Sequence, residues 1–150
     1  MKINANTKVK KTNEQSHLSL THIESKLLGL QNDNQQQAYV ALKYFDNQHQ
    51  CLSEWSKEEL KAFSDFCRKV NQLTWTDIYR SGGKTGKNGL GYTVHTNRDK
   101  LPAGNIFKQI SEDITFFELR VSQKARVHGF RAKSTFFLVW LDKDHEVYKM

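Results

Sequence analysis

Arg120, Arg126, His128, Arg131, Lys143 and His145 crowd into one short stretch near the C-terminus, and Tyr148 follows three residues after His145. Residues of these types suit the cutting of RNA. An imidazole titrates near neutrality and can move a proton, while guanidinium groups stabilise the extra negative charge of a phosphorane-like transition state. A phenol can join that chemistry where arginines lower its pKa. The structural alternative for Tyr148 is a ring that pins the chain end against a sheet.

Positioning such a set requires a sheet. Residues 114–121, 126–132 and 135–141 are β-branched and aromatic runs separated by short polar connections, which predicts a meander of three antiparallel strands. Alternation places Glu118 and Arg120 on the face opposite Leu119 and Val121, and Arg126 and His128 opposite Val127 and Arg131. Arg120 and Arg126 therefore share a face beside the exit of the last strand, near His145, and Arg131 leaves it.

Upstream, residues 39–45 read as a strand. Ser56-Lys57-Glu58-Glu59 is a capping box, followed by Leu60, Phe63, Phe66, Cys67, Val70 and Leu73 at helical spacing. Thr74 caps a further short helix over 75–80, and Gly82 and Gly83 are expected to end it in the left-handed conformation. The order of strand, two helices and three strands predicts an α+β domain over 38–150. Residues 1–37 are expected to form a flexible arm, polar and aperiodic over 1–16, with a short helix opened by the capping box at Thr21. Between the helices and the meander, residues 82–104 hold six of the eight glycines and the only proline, with Lys84, Lys87, Arg98 and Lys100. This is expected to be an exposed basic loop with a short strand near 92–95, its backbone amides and lysines available to phosphates.

Composition narrows the chemistry. The chain has 150 residues, 23 Lys and Arg against 16 Asp and Glu, and a formal net charge of +7, a balance that attracts polyanions. The loop sequence Gly82-Gly83-Lys84-Thr85-Gly86-Lys87 fails the phosphate-loop spacing GxxxxGK[ST] and follows a helix rather than a strand. His17 with His22, and His49 with Cys51, lack metal-ligand spacing, and the two cysteines form no CxxC pair, so neither a metal nor a cofactor is expected. Trp55, Trp75 and Trp140 sit in apolar patterns and belong to the core. No apolar leader or membrane-spanning run is visible, so a cytoplasmic location away from any membrane is expected.

The segments Phe117-Glu118-Leu119-Arg120-Val121-Ser122, Ala125-Arg126-Val127-His128-Gly129-Phe130, Phe137-Leu138-Val139-Trp140-Leu141 and His145-Glu146-Val147-Tyr148 resemble the C-terminal half of the RelE/ParE toxin superfamily. The resemblance extends over roughly 38–150 and is specific in 116–148. It implies the toxin half of a toxin–antitoxin pair, cleaving mRNA on the ribosome without a metal by attack of the ribose 2′-hydroxyl. It further implies that Arg126 stabilises the scissile phosphate, that His145 protonates the leaving 5′-oxygen or contacts phosphate, and that Tyr148 is a general base or a stacking group. Arg120, Lys84, Lys87, Arg98, Lys124 and Lys143 would bind RNA. The lysines that often precede the Leu-Arg strand are here Phe116, Phe117 and Glu118, so the proton acceptor stays open. Two other readings share the fold: a non-catalytic nucleic-acid or protein binding module from a phage or mobile element, and a ParE-like gyrase inhibitor.

Overall fold

The computed structural model describes residues 34–82 and 89–149. The expected arm and its helix, with Lys84 and Lys87 of the basic loop, lie outside the described residues. The remainder is an α+β fold with a five-stranded mixed sheet and three helices: β1 (Tyr39–Ala41), α1 (Lys57–Val70), α2 (Trp75–Arg80), β2 (Thr93–Val94), α3 (Ile106–Gln109), β3 (Phe116–Arg120), β4 (Arg126–Ala132) and β5 (Thr135–Asp142). The sheet order is β1-β5-β4-β3-β2, with β1 parallel to β5 and the other neighbours antiparallel.

Helices α1 and α2 start where their caps place them. Ser56 Oγ accepts the Glu59 N–H, and Glu59 returns a carboxylate oxygen to the Ser56 N–H, both at 3.1 Å; this satisfies two donors that a helix start otherwise leaves orphaned. Thr74 and Asp77 repeat the exchange at α2, and the bonds from Thr74 hold the Asp77 carboxyl below its ordinary range. Phe66 and Val70 of α1 and Trp75 and Ile78 of α2 then pack against Phe117, Leu119, Val127 and Leu138 on one face of the sheet. The opposite face carries Phe116, Phe130, Val139 and Trp140, covered by Leu101, Ile106 and Tyr148.

Four expectations are corrected. β1 ends at Ala41 because the chain turns there, the Phe45 N–H reaching the Leu42 carbonyl at 3.1 Å. Residues 34–37 are not part of a loose arm, since the Asn34 and Gln36 carbonyls accept N–H groups from the first turn of α2. The segment 89–104 is only partly exposed: Leu90, His95 and Leu101 are buried, and it contributes β2, a 3-10 turn and close packing. Gly82 is not left-handed; the helix ends at Ser81 in ordinary backbone, and Gly82 instead admits the Tyr92 carbonyl, which would lie 2.9 Å from an added Cβ.

An irregularity in β5 decides which side chains meet at the C-terminal end of the sheet. Register runs His128↔Trp140 and then Gly129↔Leu138, so Val139 is the extra residue of a β-bulge. A bulge reverses the facing of every later residue, and Asp142 thereby joins the face of Arg126 and His128 rather than that of Leu138. Gly129 permits the close strand approach: a Cβ there would fall 2.0 Å from the Phe137 carbonyl oxygen, backbone that cannot swing aside. Gly129→Ala is expected to destabilise the fold by about 3 kcal/mol, measured by urea unfolding.

Candidate active site

Arg120 and Arg126 are directly opposite one another across β3 and β4. Like charges in that position repel, and two sets of acceptors answer the repulsion. Glu118, two residues before Arg120, reaches the Arg126 Nε with Oε2 at 3.3 Å. Backbone carbonyls of Ser122, Gln123 and Ala125 accept from Arg126 Nη1 at 2.9, 3.2 and 3.0 Å. Arg126 is thus clamped in one orientation, and burial with the neighbouring Arg120 lowers its pKa while Glu118 opposes that shift. Gly91 lies against the Arg120 guanidinium, whose Nη2 would sit 3.1 Å from a Cβ at 91, and adopts φ +58°, which glycine takes without strain.

After β5 the chain turns at His145, whose φ of 56° is uncommon for a side-chain-bearing residue. The turn is bonded to β5: Asp142 accepts the Glu146 and Val147 N–H groups at 2.7 and 3.0 Å. It presents His145 Nε2 to Glu118 Oε2 at 3.0 Å, so one carboxylate oxygen is shared between Arg126 and His145. Glu118 is nearly buried, at 7% side-chain exposure, whereas His145 is 40% exposed. Three residues on, the Tyr148 ring stacks on His95 at 4.0 Å and its hydroxyl accepts the Asn97 N–H at 3.0 Å. Hydrogen bonds from Thr96 and Asn97 hold its phenol below the ordinary range.

Glu118, Arg120, Arg126, His145 and Tyr148, with Gly91, Thr93 and Lys149, line one pocket of about 350 Å³. The four residues singled out from the sequence, Arg120, Arg126, His145 and Tyr148, therefore converge. Arg98, Lys124 and Lys143, expected as further RNA contacts, do not line it. Arg98 donates to the Ser111 and Ile114 carbonyls and lies over the Phe107 and Phe116 rings, where it ties the turn after β2 to the core. Lys124 pairs with Asp144 on the surface, and Lys143 reaches the Glu54 carbonyl. Arg131 faces the helices, its guanidinium 4.5 Å over the Trp75 ring.

In the sequence Glu118 stands out only as a departure from a lysine pattern; a lone acid two residues from an arginine, on a strand otherwise apolar, is the signal it offers. His95 gives less, since it follows a two-residue strand. It is joined to the site by a buried row: Asp142 Oδ2 lies 2.8 Å from His128 Nε2, and His128 Nδ1 lies 2.8 Å from His95 Nε2. Burial would raise the Asp142 carboxyl, but hydrogen bonds from His128, Glu146 and Val147 outweigh it and hold the group below its usual range. Burial and the charges of His128 and His145 push His95 down to about 3. His95, Glu118 and His128 also bring ligand-type atoms within 4.8 Å of one another, a donor set that could meet a divalent ion.

Against this geometry, no family model, curated protein or solved structure matches the chain.

Proposed function

We propose that this pocket cleaves RNA and that the chain is a RelE-like toxin, an endoribonuclease acting on mRNA at the ribosome and neutralised by an antitoxin. The observation that carries this reading is the Glu118 carboxylate shared between Arg126 and His145 within a pocket walled by two opposed arginines. Beyond offsetting the opposed arginines, a buried carboxylate beside a histidine supplies a proton acceptor, which a site that only gripped phosphate would not use.

In this mechanism Glu118 accepts the proton of the ribose 2′-hydroxyl as that oxygen attacks the phosphorus. Arg120 and Arg126 neutralise the charge gathering on the non-bridging oxygens. The bond to the 5′-oxygen breaks, and His145 in its protonated form supplies the proton that oxygen takes up. The products are a 2′,3′-cyclic phosphate and a free 5′-hydroxyl. Tyr148, its hydroxyl engaged by Asn97, offers a ring wall rather than a base. The α+β fold, with its five-stranded mixed sheet and three helices, supports this reading at the level of fold class.

Inducing the wild type is expected to stop growth and to create new mRNA ends bearing 5′-hydroxyls. Arg126→Ala should lower cleavage by about 10²–10³-fold, and the Arg126→Ala/Tyr148→Phe double variant should abolish toxicity. Equal growth inhibition without new ends would exclude a nuclease. An oligonucleotide carrying 2′-deoxyribose at the scissile position is expected to resist cutting.

A further inference from the structure

The row Asp142–His128–His95 does not line the pocket, yet it is bonded to and stacked against the chain end that does. Asp142 is 3% exposed and accepts three hydrogen bonds, from His128 and from the Glu146 and Val147 N–H groups. An ionised carboxylate only accepts, so His128 Nε2 carries a proton, and the ring cannot flip without leaving that bond. His128 Nδ1 then meets His95 Nε2 with one proton between them, which fixes the plane of the His95 ring beneath Tyr148. His95 Nδ1 is buried and has no partner among the described residues. Leaving it so is unfavourable, and an apolar ring would stack on Tyr148 without that penalty; the histidine therefore marks a position where orientation matters.

We propose that Asp142, His128 and His95 are positioning residues that hold residues 145–149 over the pocket in a single register, so that His145 meets Glu118. This rests on the reading of the pocket as RNA-cleaving. The charged groups facing the histidine pair are Asp142 from β5, Glu118 from β3 with Arg126 beyond it on β4, and His145 from the terminal turn. A metal ion between the rings fits less well. Two nitrogens bound to tetrahedral zinc at about 2.0–2.1 Å stand roughly 3.3 Å apart, whereas these stand 2.8 Å apart, and ring centroids separated by 5.0 Å place the rings edge to edge, as a shared proton requires.

The test uses the full chain and a ribosome programmed with a short mRNA. Asp142→Asn cannot accept three donors, and His128→Asn keeps a group near His95 but none at Asp142; each is expected to lower kcat about 100-fold, as small misplacements do, with KM changing less than threefold. His128→Gln returns an N–H at the position of Nε2 and is expected to recover kcat to within about tenfold of wild type. Hydrogen exchange of the Glu146 and Val147 amides should quicken in the two Asn variants and not in His128→Gln. Should Asp142→Asn fail to fold, the two His128 variants decide between the outcomes. Wild-type kcat and unchanged amide exchange in His128→Asn would overturn the proposal, as would saturable Zn²⁺ binding that His128→Gln abolishes. A wild type that cuts no RNA defeats the nuclease reading alone, and the exchange rates then decide the positioning role.

Discussion

Glu118→Gln is expected to lose about 10²–10⁴-fold in RNA cleavage, the range that a positioned general base contributes, while remaining folded. The substitution preserves size and removes the charge that would take the 2′-hydroxyl proton. Folding should survive because Arg126 keeps its three carbonyl acceptors from the β3–β4 turn, so its cation is not stranded when the carboxylate goes. The contrary substitution, Arg126→Ala, removes one of the ion pairs of the buried Glu118 carboxylate and is the more damaging to stability. Single-turnover cleavage by both variants, with their urea midpoints, separates the two effects. If Glu118→Gln cut at the wild-type rate, the shared carboxylate would be an ion-pair scaffold and the proton would have another acceptor.

The parts of this molecule that are legible in the sequence are those written in local terms. α1 and α2 begin at reciprocal side-chain to backbone bonds three residues apart, so Ser56 and Thr74 announce them. β3, β4 and β5 are long enough for alternation to sort Arg120 and Arg126 onto one face and Arg131 onto the other. The rest depends on pairing between distant segments. α3 is one turn long with no side-chain cap at Asn105, so nothing local distinguishes it from loop. Arg98 looks like an available cation until Phe107 and Phe116 are known to lie beneath it. Asp142 is the most instructive case: strict alternation from Leu138 and Trp140 places it with the helices, and only the bulge at Val139, tolerated by Gly129 on the neighbouring strand, turns it towards His128. The bond from Asp142 to His128 thus depends on one extra residue in a strand.

Stability is expected to fall by about 2 kcal/mol between pH 7.5 and pH 5, and His95 to account for the loss. A histidine in the unfolded chain protonates near 6.5, whereas burial and the neighbouring His128 and His145 hold folded His95 to about 3. As pH drops through that window the unfolded chain binds a proton that the folded protein refuses, so the contribution is complete above about 6.5 and is lost progressively down to about 3. Asp142 acts in the same direction but lower: its folded carboxyl is held below the usual range, so its contribution persists above about 3.9 and fades only beneath it. The two are therefore separable by pH. Urea midpoints of the wild type and of His95→Phe, which keeps a ring under Tyr148, should diverge in slope between pH 7.5 and 5; parallel slopes would mean that His95 protonates within the fold. Because the ring of Tyr148 lies on His95, the acid weakening is expected first at residues 145–149, so amide exchange at Glu146 and Val147 should rise with falling pH before exchange in β4 does, and cleavage should decline with it while the sheet is still intact.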